Sequence, residues 1–128
     1  MRIAVTGGNE YADFLMGMLA GGRHKVMVID KDKEFCERVC GAYDVEATLG
    51  NPCQEEVLRE AGIRDFDVVV ALGQEDTDNF EICQMCKKMF GVRKAVCMVK
   101  NPRNVEVFAQ LGIDQVMNVP RLIADMIG

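Results

Sequence analysis

Tryptophan is missing from this 128-residue chain, and only one histidine, three prolines and two tyrosines are present. The lone His24 precedes a strand-like run and reads as a surface residue rather than a metal ligand or general base. No Ser-His-Asp set, Cys-His set or paired carboxylates stand out, so catalysis is not expected. Long apolar runs are also lacking. Stretches such as Val68 to Leu72 are far too short to cross a bilayer. No block of basic residues and no interleaving of basic with aromatic residues occurs, and the net charge is −5. Binding to nucleic acid is therefore not expected. Met1-Arg2 leads straight into a strand, with no signal peptide ahead of it, and the expected location is the cytoplasm.

What is abundant is apolar. Hydrophobic residues make up 49% of the chain, enough for the core of one domain. Six cysteines without a secretion signal read as free thiols. Cys83 and Cys86 fall one turn apart inside a predicted helix, whereas redox Cys-x-x-Cys pairs sit at a helix start. Cys36 and Cys40 share another helix face, and no second pair has the spacing of structural zinc. The cysteines are expected to be buried or half-buried core residues, and the nine methionines to fill the core likewise.

The first thirty residues organise the chain. Arg2 to Thr6 is a short buried strand, and Gly7-Gly8-Asn9-Glu10-Tyr11-Ala12 follows as a turn into a helix. Tyr11, Phe14, Leu15, Met18 and Leu19 recur at helical spacing. Gly21-Gly22 ends the helix, and Lys25 to Ile29 is a second strand closing on Asp30. This is the outline of a mononucleotide-binding βαβ unit. Glycine lets the chain turn tightly, and the helix start offers free N–H groups and a positive dipole to a phosphate. Asp30 lies about 20 residues past the turn, where an acid accepts hydrogen bonds from a ribose. Against the pattern G-x-G-x-x-G/A, Gly7 fits the first position and Ala12 the third, but Asn9 holds the second. The alternative is a βαβ unit whose turn binds nothing.

Strands and helices alternate through the rest. Lys31 to Cys40 is a helix capped by Asp32 and ended by Gly41, and Tyr43 to Leu49 is a half-buried strand nearer a sheet edge. Asn51 is the expected N-cap of the next helix, with Pro52 at its first position and Gln54 at capping-box spacing. Asp67 to Leu72 reads as a strand buried on both faces. Glu75, Asp76 and Asp78 read as charges at the start of a helix over Glu75 to Phe90, and no metal site is expected. Lys94 to Val99 is a fifth strand, Asn101-Pro102 opens a helix, and Gln115 to Met117 is a sixth strand. Pro120 starts a last helix. The Asn-Pro segments at 51 and 101 echo each other, which similar start and stop signals on two crossover helices explain. The expected fold is a Rossmann-like, doubly wound parallel sheet of six strands with helices on both faces. Residues 1–119 form the nucleotide-binding domain, and 120–128 the start of a crossover helix.

The pattern resembles a specific family, the N-terminal RCK domain, also called KTN or TrkA-N, of potassium uptake regulators. Val28-Ile29-Asp30-Lys31-Asp32 is similar to its V-I-D-x-D, and Gly50-Asn51-Pro52-Cys53 falls where it has G-D-A-T. Glu56 to Ile63 follows its E-V-L-x-x-A-G-I, the acidic stretch through Asn79 its D-D-x-x-N, and Phe108 to Ile113 its L-F-x-x-L-G-I/V. Asn9, Asn51 and Met98 depart from the usual glycine, aspartate and arginine.

The resemblance implies a regulatory nucleotide sensor, not an enzyme. It implies binding of NAD(H) or of ATP, ADP or AMP. The partners it implies are a membrane potassium transporter or channel subunit and further copies of the chain, as a homodimer or ring at the inner membrane face. By position, Gly7, Gly8, Asn9, Glu10, Tyr11 and Ala12 would form the phosphate loop, and Asp30 would hold the ribose with Lys31 beside it. Asn51 would approach the adenine, and Ala71, Leu72 and Gly73 would line the ribose or phosphate side. Two other classes stay open: the cofactor domain of an NAD(P)-dependent oxidoreductase, and a ligand-free Rossmann-like dimerisation module. The last helix, with Leu122, Ile123, Met126 and Ile127 on an apolar face, either joins a second copy or folds back on its own sheet.

Overall fold

The computed structural model describes residues 1–128, apart from the side chains of Asn9 and Glu10. The six strands are β1 (Arg2–Thr6), β2 (Lys25–Asp30), β3 (Glu46–Leu49), β4 (Val68–Ala71), β5 (Lys94–Val99) and β6 (Gln115–Asn118). All pair in parallel, in the order β3-β2-β1-β4-β5-β6. The order reverses at β1, so β1 and β4 lie side by side while their crossovers lead to opposite edges. A crevice opens at the carboxyl ends of strands at such a point.

Five α-helices connect the strands, α1 (Asn9–Leu19), α2 (Lys33–Ala42), α3 (Glu55–Glu60), α4 (Asp76–Lys88) and α5 (Arg103–Gln110), and α6 (Val119–Ile127) follows β6. Alternating strand residues feed two cores. Ile3, Val5, Val26 and Val28 pack under Ala12 and Met16 of α1 and Phe35 and Val39 of α2. On the other face Ala4, Ile29, Val69 and Cys97 meet Leu58, Ile82, Cys83 and Phe108 of α3, α4 and α5. The sheet is thus wound on both faces, as the alternation of elements predicts.

The two faces are not equally covered. The first bears two helices over β1 to β3, and its other half, over β4 to β6, lies open. Here the apolar stripe of α1 departs from simple core packing. Leu15 and Leu19 are half-buried, while Tyr11, Phe14 and Met18 are 64%, 68% and 80% exposed. Their flank overhangs the open half, where they join Val70, Val96 and Met117 around a groove of about 660 Å³.

Several element ends differ from expectation. Gly41 lies inside α2, which runs to Ala42 and stops where Tyr43 turns extended while its N–H still bonds Val39 O at 2.9 Å. β3 therefore begins at Glu46 rather than Tyr43. Asn51 does not cap α3. Its Oδ1 accepts from Cys53 N at 2.9 Å, a local turn, and the helix starts only after Gln54, whose side chain makes no cap bond. Asn101 makes the matching turn on Arg103 N at 3.0 Å. The two Asn-Pro segments share this side-chain turn rather than a helix cap. Asp32 does cap α2, its Oδ1 accepting from Phe35 N at 3.2 Å.

The cysteines divide. Cys36, Cys83, Cys86 and Cys97 are buried, Cys53 is half-buried and Cys40 is exposed, contrary to its expected place in the core. The neighbouring Cys97 thiol, together with burial, raises Cys83 far above the usual thiol range, while burial pushes Cys86 up to about 12. Such a Cys-x-x-Cys pair is held as thiol, not thiolate.

Candidate functional site

A cleft of about 360 Å³ opens at the carboxyl ends of β1, β2 and β4. Its floor is the turn after β1. Gly7 and Gly8 have φ of +66° and +91°, the left-handed region that glycine enters without strain. Space enforces the same choice. A Cβ on Gly7 would lie 2.8 Å from the backbone N and Cα of Gly73, so the turn and the loop after β4 are in direct backbone contact. From Gly8 the chain enters α1, whose first N–H groups have no partner in a preceding helix turn.

One wall comes from β2. Asp30 is its last residue and is buried, with Oδ1 accepting from Asp32 N at 2.9 Å. Lys31 stands beside it at the rim. A second wall is the Asn51-Pro52-Cys53 turn, and the third is the loop from Gly73 to Asp78. Asn79 fixes that loop from beneath. It is buried, accepts from Gly73 N at 2.8 Å, and donates to Gly73 O at 2.8 Å and Met98 O at 3.0 Å. Thr6 closes the cleft at the sheet. It is fully buried, and its Oγ1 finds no hydrogen-bond partner among the described residues. A buried hydroxyl without a partner costs stability unless a ligand or water satisfies it.

Of the residues expected at a nucleotide site, the cleft brings together Gly7, Gly8, Asp30, Lys31, Asn51 and Gly73. Ala12 is buried against the first core and Ala71 against the second. Tyr11 and Leu72 line the groove on the open sheet face instead. The side chains of Asn9 and Glu10 lie outside the described residues. The structure adds Thr6, Cys53, Glu75, Asp78 and Asn79 to the walls, which sequence reasoning did not single out as site residues. The alternation of β1 would have placed Thr6 on the same face as Ala4. Cys53 and Glu75 arrive through the turns before α3 and α4, and Asp78 and Asn79 on the first turn of α4, placements that no local pattern records.

The acids at the start of α4 do more than complement its dipole. Asp76 Oδ1 accepts from Lys100 N at 2.8 Å, and Oδ2 accepts from Asn101 N at 3.0 Å and Asn104 Nδ2 at 2.9 Å. Burial alone would raise its pKa, but these donors hold it below the usual carboxylate value.

Comparison with known proteins agrees with this architecture. The Trk system potassium uptake protein TrkA of Streptomyces coelicolor is 30% identical over 119 residues, covering 93% of this chain and 53% of that protein. The chain spans about half the length of the curated relatives it matches. Among solved structures, the TrkA-N domain of the inner membrane protein ybaL from Escherichia coli superposes with a TM-score of 0.90 at 17% identity, covering 98% of this chain and 93% of that one. The GsuK channel bound to NAD superposes with a TM-score of 0.82 at 19% identity, covering 94% of this chain and 22% of that one. At these identities the likeness to solved structures concerns the fold. The family model of the TrkA-N domain matches residues 3–119, nearly the whole chain, and the chain belongs to the TrkA-N domain family.

Proposed function

We propose that this chain is a nucleotide-sensing regulatory domain of a potassium transport system, and that the cleft holds an adenine nucleotide. The observation that carries this reading is the cleft itself. It lies at the switch point of the sheet, with a glycine floor, a buried acid at the end of β2 and an unpartnered Thr6 hydroxyl. Gly7 and Gly8 would admit the phosphates to the start of α1, and Asp30 would accept from the ribose. The volume lies near the small end for ligand sites, which favours a mononucleotide over a dinucleotide. Relatives support the class: TrkA is a potassium uptake protein, GsuK has been solved with NAD and with ADP, and the Shewanella denitrificans Kef C-terminal domain with AMP.

No helix of the described residues is long and apolar enough to cross a membrane. In this reading the pore is a potassium transporter or channel subunit on which the domain acts. The domain would then work from the cytoplasmic side. A second copy is the natural cover for α6. That helix has no buried residue, exposes Leu122, Ile123, Met126 and Ile127, and leaves beside it the bare apolar face of β4 to β6.

The test is thermal unfolding against NAD⁺, NADH, ATP, ADP and AMP, with Asp30→Ala alongside. A ligand at 100 times its Kd stabilises by about 2.7 kcal/mol, a shift of several degrees. A shift with one of them, lost in Asp30→Ala, is expected. No shift with any would leave a ligand-free module as the better reading. Substrate-dependent change in NADH absorbance would instead point to an oxidoreductase.

A further inference from the structure

The cleft has an electrostatic problem for a phosphate ligand. Its lining carries the carboxylates of Asp30, Glu75 and Asp78 and, among the described residues, the single cation Lys31. An entering phosphate meets more negative than positive charge at close range, where protein surroundings screen less than water.

One wall holds the means to reverse this. Cys53 Sγ and the carboxylate oxygens of Asp78 and Glu81 lie within 4.8 Å of one another. Two different segments build the cluster. Cys53 is placed by the Asn51 turn, which takes its N–H, and Asp78 and Glu81 stand one turn apart on α4. Among the described residues, neither carboxylate lies within 4.0 Å of a lysine or arginine nitrogen. Two acids and a thiol thus face one another with no ion pair to either carboxylate, and Lys31 is the cation that acts on the thiol from the cleft. Bonds of about 2.3 Å to sulfur and 2.0 Å to oxygen give tetrahedral edges of roughly 3.3–3.5 Å, so the three ligand atoms, which lie within 4.8 Å of one another, would draw together around a cation. A second sign that this space takes a ligand is independent of the cluster. The unpartnered Thr6 hydroxyl is fully buried and lines the same cleft, on the sheet face that carries Cys53.

We infer that Cys53, Asp78 and Glu81 form a binding site for a divalent cation of the Zn²⁺ or Co²⁺ type, and that this cation offsets the negative wall of the cleft for a phosphate ligand. The second half rests on the nucleotide reading; the first does not. A thiolate with two carboxylates suits a borderline cation better than Mg²⁺ or Ca²⁺, which take oxygen ligands. Three protein ligands leave a fourth position for water or for an oxygen of the ligand in the cleft.

The test is titration of the reduced full chain with Co²⁺ alone, followed by the sulfur-to-cobalt charge-transfer absorption in the near ultraviolet. One equivalent with such a band is expected. The band should vanish in Cys53→Ser and persist in Cys40→Ser, which removes the exposed thiol. Glu81→Gln lies on an exposed helix position away from the core, so its fold is retained, and it should weaken Co²⁺ by about tenfold or more. Absence of a band, or a band that survives Cys53→Ser, overturns the site. ADP binding by calorimetry with and without Zn²⁺ tests the link, and tighter binding with Zn²⁺ is expected. Equal binding with and without Zn²⁺ overturns the link. A Cys53-dependent band with no ADP binding at all upholds the cation site and overturns the nucleotide reading.

Discussion

Asn79 grips Gly73 at both ends of one residue, its Oδ1 taking the Gly73 N–H and its Nδ2 giving to the Gly73 carbonyl, each at 2.8 Å. The third bond, to Met98 O on β5, ties this clasp to the middle of the sheet. Asn79→Ala leaves three backbone groups without their buried partner. It should cost about 2–4 kcal/mol in urea unfolding. Asn79→Asp keeps the acceptor but loses both donor bonds and buries a charge, so it should be no better than alanine.

The two kinds of glycine in this chain should respond oppositely to alanine. Gly7→Ala forces a side chain into the left-handed region and onto the backbone of Gly73, and should destabilise by at least about 2 kcal/mol. Gly41 lies within α2, and a methyl group there would meet nothing within 4 Å. Gly41→Ala should stabilise by about 0.5–1 kcal/mol. Melting temperatures of the two variants, side by side, check both signs.

Thr6→Val separates stability from binding. It removes a buried hydroxyl that has no partner among the described residues and keeps the shape of the side chain. The free variant should be as stable as the parent or more so, by up to about 2 kcal/mol. Its nucleotide-induced thermal shift should nevertheless shrink. A variant with lower free stability and an unchanged ligand shift would show that the hydroxyl does not face the ligand.

Asp76 gives the fold an acid-sensitive brace between α4 and the turn after β5. Its carboxylate is held below the usual value in the folded state, so the unfolded chain takes up the proton first as pH falls. Its contribution is complete above the ordinary carboxylate range and is lost as pH drops from there through the folded value. Asp76→Asn should therefore lower stability at neutral pH and flatten the acid limb. Urea midpoints of both proteins from neutral to acid pH provide the comparison.

A second copy of the chain, if it covers α6, should respond to charge on that helix. Ile123→Glu with Met126→Glu alters two exposed positions and no core contact, so folding should be kept. Sedimentation should show dimer in the parent and monomer in the double variant. A parent that stays monomeric at micromolar concentration would remove the dimer from the proposed function.

Local patterns carried most of the fold. β5 was legible to the residue, because an apolar run, Ala95 to Val99, bounded by Lys94 and Lys100 leaves little freedom, and Asp32 was legible as a cap because it acts on its own neighbours. Asn51 misled for a related reason. An Asn-Pro pair can cap a helix or close a turn, and only the geometry of Cys53 tells which. The cleft was half legible. Gly7, Gly8 and Asp30 follow from strand ends, which periodicity finds. Cys53, Asp78 and Glu81 meet through tertiary folding of separate segments, and the unpartnered Thr6 is defined by what does not reach it.

Nine residues of α6 amount to a rod about 13 Å long, standing on β6 with none of its side chains buried. Its root is Asn118, whose Oδ1 takes the Arg121 N–H at 2.7 Å and so couples the rod's direction to the end of the strand. A tilt of about 10° at that root carries the tip by about 2 Å. A pivot too small to register at the cleft thus becomes a displacement large enough for another molecule to feel.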